Sequence, residues 1–161
     1  MFKEELYPKD KHDAYQLLLK QAKALLSDEN DIIANLANIS ALLKVFFGDN
    51  VNWVGFYRLD DSGELILGPF QGKVACTRLP KGKGVCQKAV ATKQTVIIED
   101  VHLFADHIAC DSASNSEIVV PLIKGGHVLW VLDVDSIIIN NFDQLDLYYL
   151  EQIVEIIKES I

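Results

Sequence analysis

The sequence predicts an α+β fold: a central, mostly antiparallel sheet carrying the N- and C-terminal helices on one face, with the other face free to build a ligand pocket. Three observations predict it. Apolar residues recur at helical spacing near both ends, and the middle of the chain switches to period two with turn signals between the runs. No Pro/Gly/Ser-rich linker divides the 161 residues, half of which are hydrophobic. Residues 1–161 therefore read as a single domain with a sizeable core.

From Asp10 to about Leu26, residues Tyr15, Leu18, Leu19, Ala22, Leu25 and Leu26 fall on one helical face. Ile32, Ile33, Leu36, Ile39, Leu42, Leu43, Phe46 and Phe47 keep that period until Gly48-Asp49-Asn50 stops it. V-N-W-V-G-F-Y-R-L and E-L-I-L-G-P-F flank the turn D-D-S-G and read as a hairpin. V-A-C-T-R-L reads as a short third strand ending at Pro80. The loop with Gly82 and Gly84 leads into a short helix over about Val85 to Thr92, and T-V-I-I-E-D returns to strand. Residues 99–116 form a long polar connection, a length that in a folded domain is usually functional or disordered. E-I-V-V-P-L-I, the turn K-G-G-H and V-L-W-V-L-D-V-D close the sheet. The last helix runs from Asp143 to about Ser160, with Leu147, Leu150, Ile153, Val154 and Ile157 on one stripe.

The formal net charge of −8 and the absence of any Lys/Arg run beyond K-G-K argue against nucleic acid as a partner. The opening residues have no apolar signal region, and no stretch approaches the roughly 18 consecutive apolar residues of a membrane span. A cytoplasmic protein is expected, in a compartment where free thiols persist.

All three cysteines, Cys76, Cys86 and Cys110, lie within one 35-residue window rich in loop residues. Thiols placed only for packing would scatter among the apolar runs. An odd number leaves one over in a structural disulfide framework, whereas a nucleophile with resolving partners uses all three. The window reads as a thiol redox site. No C-x-x-C pair exists, so a zinc site built on Cys110 with His102 and His107 is not expected, and no metal is assigned. The two histidines read as loop hydrogen-bonders or modulators of the Cys110 thiol.

Asp133 and Asp135 are two apart on an otherwise apolar strand and so share a face. That pairing is costly unless a cation binds or one carboxyl is protonated; the alternative is a strand already frayed into solvent. Glu117, at the start of the preceding strand, can join them only if the hairpin register shifts. An unbroken ladder from a two-residue Gly125-Gly126 turn would place it opposite Val134, on the wrong face. A three-residue turn, or a bulge between Glu117 and Pro121, is therefore expected. Trp53, Gly55 and Tyr57 also share a face; the glycine leaves a gap between two aromatics for a ligand or another backbone, and core packing is the plainer alternative. The Lys81-Gly-Lys-Gly84 loop could hold an anion at the following helix N-terminus or be simply a turn.

The motifs G-P-F-Q-G-K-V-A-C-T-R, G-K-G-V-C, E-D-V-H, H-I-A-C-D-S-A-S-N-S-E-I-V-V-P-L and V-L-D-V-D-S resemble the free methionine-(R)-sulfoxide reductases, which are single GAF-domain enzymes. The resemblance runs from about Asn52 to the end, and generic GAF sensors do not carry this three-cysteine pattern. One departure is Trp130, where that family often has glycine; it has the strand parity of Leu132 and Val134, so its effect is expected behind the sheet. The resemblance implies Cys110 as nucleophile, Cys76 as the resolving cysteine and Cys86 as an auxiliary thiol. It implies that Glu117, Asp133 and Asp135 hold the substrate, with Trp53 and Tyr57 as an aromatic wall. It further implies a thioredoxin-recycled reduction of free methionine-(R)-sulfoxide through a sulfenic acid and a disulfide, with no cofactor; a homodimer is left open. The rival readings are a GAF sensory module without turnover and a thiol peroxidase, which would have no use for the acidic cluster.

Overall fold

Aspartates start three of the four helices. The side chain of Asp10 accepts from the Asp13 amide at the head of α1 (Lys11–Leu26), and Asp31 accepts from the Ala34 amide at the head of α2 (Ile32–Phe47). Asp143 and Asp146 form a reciprocal capping box on α4 (Gln144–Glu159). Lys11 bridges that box to α1 with bonds of 2.9 and 2.7 Å, and the Tyr15 hydroxyl donates to Asp146 at 2.6 Å. The fourth helix, α3 (Val85–Thr92), starts differently: Gly84 at φ +87° supplies no side-chain cap, leaving its first amides open. The computed structural model describes residues 6–108 and 110–161.

Six strands form one sheet: β1 (Val51–Leu59), β2 (Leu65–Gly72), β3 (Arg78–Leu79), β4 (Val96–Ile98), β5 (Ser116–Lys124) and β6 (His127–Ser136). Their spatial order is β3-β2-β1-β6-β5-β4, and all five pairings are antiparallel. The third strand is shorter than expected: of V-A-C-T-R-L only Arg78 and Leu79 are in strand, the Thr77 carbonyl accepts from the Leu67 amide at 3.0 Å, and residues 73–76 loop away carrying Cys76.

Period-two alternation divides the core into two. Val54, Phe56, Ile118, Val120, Leu132 and Val134 point toward α1, α2 and α4. Trp53, Tyr57, Val119 and Val131 point to the opposite side, where α3 brings Val85, Cys86 and Ala89 against them. Residues 32–50 are, by length and composition alone, apolar enough to cross a membrane, although Asn, Ser and Lys interrupt every apolar run within them. In the fold, Leu36, Ile39, Leu42 and Leu43 of this segment are buried in the helix-side core. Trp130 also lies on the helix side, as its parity predicts, with its ring against Gly68: a Cβ there would approach Trp130 to 2.6 Å.

The hairpin register resolves differently from either expected device. The Gly125-Gly126 turn is a plain two-residue turn with both glycines at positive φ, and Lys124 pairs with His127. Ile123 pairs with Val128, but Leu122 pairs with Trp130, so Leu129 is one extra residue on β6. The ladder then runs regularly to Glu117 opposite Asp135. The bulge is therefore on the partner strand beside the turn, not between Glu117 and Pro121; it restores the same face for Glu117, Asp133 and Asp135.

Candidate active site

Two consecutive rows across the sheet build the floor of a recess. In one, Trp53 lies opposite Asp135, which lies opposite Glu117; in the next, Gly55 lies opposite Asp133, which lies opposite Val119. Three carboxyl groups thus converge on one face, two of them directly opposite each other, an arrangement that repels itself in the absence of a cation. Glu117 is 5% exposed and Asp133 7% exposed. Oδ1 of Asp133 is buried and has no hydrogen-bond partner among the described residues. Burial in a native fold normally requires a partner for such an atom, so it marks a place prepared for a donor.

The electrostatics follow from this crowding. Burial, then the charges of Asp133 and Asp135, hold the Glu117 carboxyl well above the ordinary range. Burial and the charges of Asp133 and Asp111 do the same to Asp135. Asp133 is pushed up to about 6 by burial, with hydrogen bonds from Cys86 and Glu117 pulling the other way. All three carboxyls are thus held above the ordinary range by burial, and Glu117 and Asp135 also by neighbouring acids, a crowding that an added cation would relieve.

Helix α3 roofs the floor. Its Cys86 is the one free thiol, 3% exposed, pushed up by burial and by the neighbouring charges of Asp133, Glu117 and Asp135. It is a neutral thiol, inert as a nucleophile and able to donate to a carboxylate. Sγ of Cys86 and one oxygen each of Glu117 and Asp133 lie within 4.8 Å of one another.

Cys76 and Cys110 are joined in a disulfide with a Cα–Cα distance of 5.5 Å, which ties the loop between β2 and β3 to the long connection before β5. Both are partly exposed and, with Cys86 and the three carboxyls, border one recess. The Tyr57 hydroxyl donates to the Cys76 carbonyl at 3.1 Å, and Trp53 Nε1 donates to the Lys73 carbonyl at 3.2 Å. Both aromatics thus line the wall and hold the Cys76 loop. The gap expected at Gly55 is closed by protein: a Cβ there would meet Phe70 Cβ at 2.4 Å and the Trp53 ring at 2.6 Å. Glycine at 55 lets the indole lie flat between Tyr57, at 5.8 Å between centroids, and Phe70, at 5.3 Å.

Among the residues bordering the site, Asn52, Asp111 and Asn115 escape sequence reasoning, while His102, His107 and the loop before α3 do not. Asn52 donates through Nδ2 to Asp111 Oδ2 at 3.1 Å and to Ser114 Oγ at 3.0 Å, anchoring the segment that follows Cys110 onto β1. Asp111 also accepts from the Ala113 amide, and these bonds hold its carboxyl below the ordinary range. Asn115 pins the other end of the connection, through its amide to the Ser136 carbonyl at 2.7 Å and its side chain to the Ile137 carbonyl. His102 turns outward to Asn115 Oδ1 at 2.9 Å. His107 turns inward, with Nε2 3.7 Å from Glu117 Oε2. Burial and His102 lower the His107 basicity while burial and the neighbouring acids raise the Glu117 carboxyl, so both shifts work against an ion pair here. Lys83, Gly84 and Val85 place the uncapped start of α3 on the recess as well. Only the polar density of D-S-A-S-N-S hinted at the Asn52 anchor; Phe70 had no signal of its own.

Comparison with known proteins agrees with this geometry. The GAF domain family matches residues 37–161. The Escherichia coli free methionine-R-sulfoxide reductase is 50% identical over 145 residues, which cover 90% of this chain and 87% of that protein. The Saccharomyces cerevisiae protein of the same name is 41% identical over 94% of this chain and 87% of its own. The crystal structure of the Neisseria meningitidis free methionine-R-sulfoxide reductase in complex with its substrate superposes with a TM-score of 0.95 at 46% identity, covering 99% of this chain and 95% of that one. A GAF fold over most of its length, two such relatives at this identity and a recess joining a disulfide to buried carboxyls place the chain in the free methionine-R-sulfoxide reductase family.

Proposed function

We propose that this protein reduces free L-methionine-(R)-sulfoxide to L-methionine, with Cys110 as nucleophile and Cys76 as the resolving cysteine. The observation that carries the reading is the Cys76–Cys110 disulfide opening on the same recess as three buried carboxyl groups, one of them with an orphan oxygen. An amino acid presents an ammonium, and Asp133, flanked by Glu117 and Asp135, is the group that receives it. The α-carboxylate finds its complement in the open amides at the start of α3 and in Lys83. Trp53 and Tyr57 flank the sulfur and its methyl group.

The Cys110 thiolate attacks the sulfoxide sulfur while a carboxyl, Glu117 or Asp135, protonates the oxygen; burial and the neighbouring acids push both well above the ordinary range, which favours the proton-carrying form. The oxygen ends on Cys110 as a sulfenic acid and methionine leaves with its sulfur reduced by two electrons. Cys76 then attacks the sulfenic sulfur, releasing water and closing the disulfide. A dithiol reductant of the thioredoxin kind takes over the disulfide by exchange and returns both thiols. Cys86 stays outside the redox cycle and keeps its proton, turned toward Asp133. Such a cycle runs in a reducing compartment, as in the cytoplasm. A peptide-bound sulfoxide lacks the ammonium and would leave Asp133 buried and unpaired, at a loss of several kcal/mol.

The test is methionine release from each sulfoxide epimer, free and peptide-bound, with thioredoxin as reductant. Only the free R epimer should turn over, and Cys110→Ser should abolish it. Equal rates on free and peptide-bound sulfoxide, or equal single-turnover yields from the wild type and Cys110→Ser, refute the proposal.

A further inference from the structure

We propose that Cys86, Glu117 and Asp133 together form a binding site for a thiophilic divalent cation of the zinc class, one that competes for the recess and is not a cofactor of the reaction. Three side chains from three elements, α3, β5 and β6, bring a sulfur and two carboxyl oxygens within 4.8 Å of one another. All are buried, at 3%, 5% and 7% exposure, and so are held by packing. A group of acids alone would not indicate a metal. The independent observation is Asp133 Oδ1, a buried oxygen lining the recess with no hydrogen-bond partner among the described residues.

The donor set selects the ion. Zinc takes sulfur at about 2.3 Å and nitrogen or oxygen at about 2.0–2.2 Å in a tetrahedron, so its ligands stand roughly 3.5 Å apart. The triangle reaches that spacing with side-chain adjustments of about an ångström. Nε2 of His107 lies 3.7 Å from Glu117 Oε2 but outside the three-atom cluster, so the fourth position of a tetrahedron is left to solvent from the recess. Calcium and magnesium prefer all-oxygen shells and gain nothing from the thiol. Binding replaces the Cys86 proton: the cation and the thiol give a metal–thiolate bond and a released proton, with no change of oxidation state. Cys76 and Cys110 take no part, so the site persists when they are in the disulfide, and it does not depend on the identity of the sulfoxide substrate.

The disulfide form gives the clean experiment, because Cys86 is then the sole thiol. Cobalt(II) is titrated into this form and the near-ultraviolet thiolate-to-cobalt charge-transfer band is recorded. The band should saturate at one equivalent and be bleached by one equivalent of zinc. It should be absent in Cys86→Ser, and cobalt affinity should fall about tenfold or more in Asp133→Asn and Glu117→Gln. No band in the wild type at one equivalent overturns the proposal without recourse to any variant. A band whose titration is the same in both carboxyl variants also overturns it, since the thiol would then be binding metal with other donors. Wild-type protein that releases methionine but binds no cobalt refutes the cation site and leaves the proposed function standing; cobalt binding without methionine release does the reverse.

Discussion

Replacing Asp133 by asparagine should raise the melting temperature near neutral pH while lowering kcat/KM, because burial disfavours the ionised carboxyl in the folded protein while the proposed ammonium site depends on it. Its environment pushes it from 3.8 to about 6, a difference worth about 3 kcal/mol against the folded state when the group is ionised. The sign is fixed by linkage: the folded value is the higher one, so the cost is absent below about 3.8, grows as pH rises and is complete above about 6. Groups facing Asp133 are Glu117 on β5, Asp135 on β6, Cys86 on α3 and Tyr57 on β1, and none is a cation. Asparagine removes the charge but also the favourable contacts of Cys86 and Glu117 with it, set at about 1 kcal/mol each. The net gain is about 1 kcal/mol, or about 2–4 °C in Tm for a chain of this size. Activity moves the other way. Loss of one partner of a buried charge pair costs at least about 2 kcal/mol, a drop of about 30-fold in kcat/KM. Calorimetry at about pH 4.5 and about pH 7.5, beside a methionine-release assay, reads both. A variant less stable than the wild type at the higher pH, a Tm difference independent of pH, or kcat/KM unchanged within about twofold would refute the reasoning.

Cys76→Ser should release about one equivalent of methionine per protein and then stop, because the sulfenic acid has no partner; sustained turnover with thioredoxin would remove Cys76 from the resolving role. Asn52→Ala cuts the two bonds that anchor the segment after Cys110, and kcat should fall about tenfold with KM held within about twofold. A change confined to KM would show that Asn52 serves the ligand and not the nucleophile. Deleting Leu129 removes the bulge and leaves an unbroken ladder from Lys124–His127 to Glu117–Asp135, so methionine release should survive with some loss of stability. Loss of activity in a variant that still melts cooperatively would refute this account of the register.

Much of this was legible from patterns that are local in sequence. The second helix falls at Ile32–Phe47, where its period and the Gly48 stop predict it, and α3 at Val85–Thr92 behind Gly84. The carboxyl cluster could be anticipated because strand parity is a hard constraint: Asp133 and Asp135 must share a face, and a third acid can join only through a register shift. The position of that shift was not legible, since a bulge at Leu129 reflects how two strands and two cores settle together. The V-A-C-T-R-L run was too short for alternation to be decisive, and the need to present Cys76 in a loop prevailed over its β-forming residues. Asn52 and Asp111 are 59 residues apart and carry no shared pattern; only the fold brings them within hydrogen-bond reach.

The extra residue on β6 changes how this chain should be compared with any other of its kind. Val128 has an even number, as do the helix-side residues Trp130, Leu132 and Val134, yet it packs with the recess-side cluster. Odd and even numbers exchange meaning at Leu129. A related strand one residue shorter at that point would reach the same alignment of acids with the same glycine turn. A gap set at Leu129 therefore keeps Glu117, Asp133 and Asp135 in their proper columns, while a gap set a few positions further along β6 would pair the acids with residues that face the helices and hide the site from inspection.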